Sequence, residues 1–179
     1  MLYAETNIND VGPVQSFEFK ETNVAVHKIF TSSDLILTEV QEAAAIRAHY
    51  IGSCSAVAIG GYNNDQEATL YMAHNLTGHH PGTTRRIEHV LSYMADNDIQ
   101  PVLAAALGPD GSVASGYLEA LYVGKLIPAI RPLVEAMGVN LNTQTYHDTA
   151  FDTSWNFEIA YDPQNTSQPF EVRSFTTQD

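Results

Sequence analysis

A chain of 179 residues with 44% apolar side chains, nine Tyr and seven Phe can bury one substantial core, which excludes a disordered polymer and predicts a single domain over 1–179. Three Lys and five Arg against 21 acidic residues leave a net charge of −13, which argues against nucleic acid and anionic membrane surfaces as partners. No run is apolar enough to insert into a membrane, and the acidic N-terminus lacks the basic start and apolar core of a signal peptide. The expected location is the cytoplasm, or outside the cell by export without a Sec-type signal.

Residues 1–20 read as a polar, poorly ordered lead-in. Strands are expected at 23–30 (N-V-A-V-H-K-I-F) and 35–40, from their alternation of apolar and polar side chains. The Ala-rich stretch 42–47 fits either a helical turn or a strand edge. Residues 55–60 (S-A-V-A-I-G) read as a buried strand, 61–66 as a turn, and 68–74 as the returning strand of a hairpin. Ile87, Val90, Leu91 and Met94 share one helical face, with Thr83 or Thr84 as N-cap, which predicts a helix over 84–96. Arg85 and Arg86 read as solvated residues at its start. A buried strand follows at 99–107 and a turn at 108–111. A packed segment at 117–126 has no assigned state. A second helix carries Ile130, Leu133, Val134 and Met137, shortened by Pro132 and stopped at Gly138. A strand at 139–146 and a hairpin of 156–161 with 170–175 complete an α+β fold. It is expected as a layered sandwich of mixed sheets with two main helices.

Cys54 is the single cysteine, so it has no internal disulfide partner. It follows Gly52-Ser53, where the backbone can bend and bring N–H groups near the sulfur. His74 ends the strand that returns along the hairpin, so antiparallel pairing brings it back toward Cys54. A thiol beside an imidazole is the pair a cysteine nucleophile requires, although free Cys is also among the most buried residue types. His74, His79, His80 and His89 fall close together in sequence. No Cys pair or HExxH spacing accompanies them, so neither a metal nor a cofactor is expected.

The order of these parts, with Ile51-Gly52-Ser53-Cys54, then Ala56-Val57-Ala58-Ile59, then Met72-Ala73-His74-Asn75-Leu76, resembles the chemoreceptor glutamine deamidases of the CheD family and, more distantly, cytotoxic necrotising factor catalytic domains. The resemblance covers residues 45–175, more by element order than by identity. It implies a hydrolase that converts an exposed Gln of a target protein to Glu, as a chemotaxis modifier or a bacterial effector. Cys54 and His74 would be catalytic, with main-chain N–H groups from Ser53 to Ser55 around the oxyanion. The family places a Thr six residues before the nucleophile to orient the His; here Ala48 stands there, between Arg47 and His49. Thr69, Asn75 and His147 are the candidate replacements. A catalytically weakened CheD-like binding module is the alternative reading. Transfer to an amine instead of water would make a transglutaminase. A cysteine peptidase is disfavoured by the short spacing between Cys54 and His74.

Overall fold

The computed structural model describes residues 1–6, 16–18, 25–27, 34–77, 80–111, 116–147 and 154–176. Its first strands are β1 (Leu2–Thr6), β2 (Ser16–Glu18), β3 (Ala25–His27), β4 (Asp34–Val40), β5 (Ala44–Ile51), β6 (Cys54–Tyr62) and β7 (Ala68–Leu76). Helix α1 (His80–Asp96), strand β8 (Gln100–Pro109), helix α2 (Gly116–Leu121) and helix α3 (Ile127–Glu135) come next. Strands β9 (Leu141–Tyr146), β10 (Trp155–Tyr161) and β11 (Phe170–Thr176) close the fold.

These form two mixed sheets, a smaller one in the order β1-β5-β10-β11 and a larger one in the order β2-β3-β4-β7-β6-β8-β9. Among the described residues only β1–β5 and β8–β9 pair in parallel. The two sheets face each other across an apolar layer built from Leu37, Ile46, Ala56, Ala58, Met72, Phe157 and Ile159 among others. The other face of the larger sheet packs Val57, Ile59 and Tyr71 against Ile87, Val90 and Met94 of α1 and Ile130 and Val134 of α3. The architecture is α+β in three layers: sheet, sheet, helices.

Strand β5 resolves the Ala-rich stretch. Ala44, Ile46 and Ala48 turn into the inter-sheet layer while Arg47 and His49 are partly exposed, a two-residue period that a helix could not satisfy. The lead-in reading of 1–20 fails at both described segments. In β1, Leu2, Ala4 and Thr6 are buried between the sheets' edges while Glu5 is exposed, and the strand pairs from Leu2–Ala44 to Thr6–Ala48. That pairing is non-local, which is why polar composition concealed it. Helix α1 begins at His80, so Thr83 and Thr84 lie inside it; Pro81 supplies a preset φ for the first turn. The segment of unassigned state is α2 followed by a widened π-helical turn at 122–126. Its Tyr122 ring lies against Gly108, where a Cβ would clash. Pro132 sits within α3 without ending it, and Gly138 (φ +84°) provides the left-handed stop. No helix among the described residues is long and apolar enough to cross a membrane.

Candidate functional site

The hairpin of β6 and β7 pairs Ala56 with His74 and Cys54 with Leu76. Cross-strand partners share a face, so Cys54, Ala56 and His74 all belong to the side of the larger sheet that meets the smaller one. Cys54 and His74 are diagonal neighbours, a relation that spans about 7–8 Å in a regular sheet. The ends of β1, β5, β8 and β9 lie at this same end of the fold, because β5 runs into β6 through only Gly52 and Ser53.

Burial sets the chemistry of the pair. His74 is 1% exposed, and neither ring nitrogen has a hydrogen-bond partner. Its pKa is pushed down to about 4, chiefly by burial and secondarily by His49. Burial likewise raises the Cys54 thiol to about 11, against the smaller opposing effect of hydrogen bonds from the main chain and side chain of Ser53. Both groups are therefore neutral near pH 7 rather than a thiolate–imidazolium pair. Cys54 is 7% exposed and sits just inside exposed Ser53, so the thiol is at the rim of the layer.

The remaining candidates separate by face and position. Ser55 pairs with Asn75, and both point the other way, toward the helices; their side-chain polar atoms are buried without partners. Thr69, opposite Gly61, shares that wrong face and lies at the far end of β7. Strand alternation thus denies Thr69 and Asn75 a role in orienting the His74 ring. His147 is exposed, with Nδ1 3.2 Å from Asp110 Oδ2. Ala48 is fully buried between the sheets, opposite Thr6 on one side and Phe157 on the other.

Sequence reading missed three hydroxyls here. Thr6 Oγ1 is buried and unpartnered. The Thr77 hydroxyl donates to the Ser53 carbonyl at 2.9 Å, and the Tyr146 hydroxyl donates to the Cys54 carbonyl at 2.9 Å. All three come from segments whose register to Cys54 no local pattern reveals.

A second polar group lies beneath α1. Asp34 is fully buried, and Arg86 Nε approaches its Oδ2 at 2.8 Å, so Arg86 is not simply solvated. The Tyr71 hydroxyl faces the same carboxyl. Burial lifts Asp34 to about 7 despite Arg86. Among the described residues, no three His, Cys, Asp or Glu side chains gather as a metal would require; His79 and the side chain of His80 lie outside them. No protein-family model and no curated protein matches this chain.

Proposed function

We propose that this protein is a Cys/His protein-glutamine deamidase. The observation that carries the reading is His74: an imidazole buried with both nitrogens unpaired, on the same sheet face as the single thiol and one pair away. An unpaired buried polar group costs about 1–3 kcal/mol, so its presence beside Cys54 calls for a reason other than packing.

Cys54 Sγ attacks the carboxamide carbon of a target Gln as its proton passes to His74. The main-chain N–H of Cys54 and the neighbouring Ser53 stabilise the oxyanion. The C–N bond breaks, His74 returns the proton, and ammonia leaves a thioester on Cys54. Water, deprotonated by His74, then cleaves the thioester to release Glu and the free thiol. With the imidazole neutral and not hydrogen-bonded to the thiol, the proton transfer takes place when target binding brings the two together. The partner is a protein presenting an exposed Gln, and the chemistry needs no cofactor.

The same neutrality, with Ala48 where the CheD family it resembles carries Thr, favours a second reading: a binding module with weakened catalysis. Mass spectrometry of a Gln-bearing protein after incubation separates the two. Conversion of Gln to Glu by wild type, absent with Cys54→Ser, supports the enzyme; no conversion by wild type leaves the binding module.

A further inference from the structure

Cys54 begins β6 where the β6–β8 ladder runs out. The register that pairs Val57 with Ala106 and Ala56 with Leu107 would next set Cys54 against Pro109. Proline has no N–H to give to a ladder. The Cys54 carbonyl is held instead by the Tyr146 hydroxyl at 2.9 Å, and Tyr146 is the β9 residue that pairs with Pro109. A side chain one strand further out thus fills the position that Pro109 leaves open.

Tyr146 is itself tightly held. It is 1% exposed, shares the inter-sheet layer with Cys54, and its ring centroid lies 6.3 Å from that of Trp155. Trp155 pairs with Ile51 at the end of β5, and its indole N–H donates to the His147 carbonyl at 3.2 Å. On the opposite side the Thr77 hydroxyl holds the Ser53 carbonyl. Two successive carbonyls at the start of β6 are therefore fixed by side-chain hydroxyls from different elements.

We infer that Tyr146 is a positioning residue for the Cys54 nucleophile, an inference that rests on the deamidase reading above. The peptide after Cys54 is trans and planar, so fixing its carbonyl fixes the whole plane. It turns the Ser55 N–H toward β7 and sets the direction from which the thiol leaves the backbone. Packing alone would need only the ring; the hydroxyl is what reaches Cys54.

Tyr146→Phe in the full chain tests this, because it keeps the ring and its contact with Trp155. Turnover of a Gln-containing peptide should fall roughly tenfold with KM unchanged, since small misplacements of a reacting group cost rate rather than binding. The pH profile of Cys54 alkylation by iodoacetamide should shift as well, and Thr77→Val should move both readouts in the same direction but less. A Tyr146→Phe protein that matches wild type in turnover and alkylation profile overturns the inference, even if it unfolds at lower urea. If wild type does not convert the peptide, the deamidase reading fails; the alkylation profile then decides whether Tyr146 positions the thiol.

Discussion

Glu158 and His74 are both withdrawn from water, on opposite sides of the smaller sheet's backbone. Glu158 has one carboxylate oxygen bonded by Arg47 at 2.6 and 2.8 Å and the other by Arg173 Nε at 2.7 Å. It stands in a cross-strand row, Glu5–Arg47–Glu158–Arg173, of alternating sign. His49 completes that face, with one ring nitrogen 2.7 Å from Asn156 Oδ1 and the other near Tyr3 and Glu5. His74, one layer inward, has nothing on either nitrogen. The same fold satisfies one buried ionisable group completely and leaves the other bare. The satisfied network is explained by stability; under the deamidase proposal the bare imidazole is kept for work on a target.

If that contrast holds, disturbing the satisfied group costs most. Arg47→Ala leaves Glu158 buried with one arginine and should lower unfolding free energy by about 3 kcal/mol in urea titration. A loss below about 1 kcal/mol would place the network with ordinary surface ion pairs. Next is Ala48→Thr. The site is closed on both sides by Thr6 and Phe157, so the added methyl and hydroxyl should cost about 1–3 kcal/mol. Strand geometry accepts Thr readily; it is the full burial of position 48 that makes the change costly. An unchanged urea midpoint would show that this end of the layer is looser than it looks.

The smallest effect belongs to His74 itself. His74→Leu removes the cost of an unpaired polar group but packs a differently shaped side chain in its place, so the two effects offset and stability near neutral pH should rise by no more than about 1 kcal/mol. Its acid behaviour should differ. The folded-state pKa of about 4 lies below the ordinary 6.5, so the unfolded chain takes up a proton first as pH falls. Wild type should lose stability between pH 6.5 and 4 on this account, and His74→Leu should lose less. Asp34 acts with the opposite sign: raised from 3.8 to about 7, it holds a proton in the folded chain that the unfolded chain has released, so its contribution fades as pH rises through that window. Comparing the two proteins cancels the Asp34 contribution. Parallel acid profiles would mean that His74 is not held neutral by burial.

The β6–β7 hairpin was legible because its signals are local: a Gly-Ser bend, an apolar run, a turn, and a returning run that ends in His74. Face assignment then follows from alternation once the register is known, and the register was not legible. This is why Thr69 and Asn75 stood as partners for His74 until the pairs Gly61–Thr69 and Ser55–Asn75 put them on the helix side. Strand β1 was hidden for a related reason. Its alternation covers five residues, and its partner lies far along the chain in β5. Tyr146 and Thr77 bind main-chain carbonyls of Cys54 and Ser53, and such contacts leave no mark in residue spacing.

The most direct test of the central claim is the rate of Gln-to-Glu conversion in a target protein by Cys54→Ala, His74→Ala and the double variant, each checked for native folding. Two residues acting as one unit give non-additive losses, so each single variant should fall nearly as far as the double. His74→Ala turnover close to that of wild type, with Cys54→Ala inactive, would contradict the claim that the bare imidazole is the partner of the thiol.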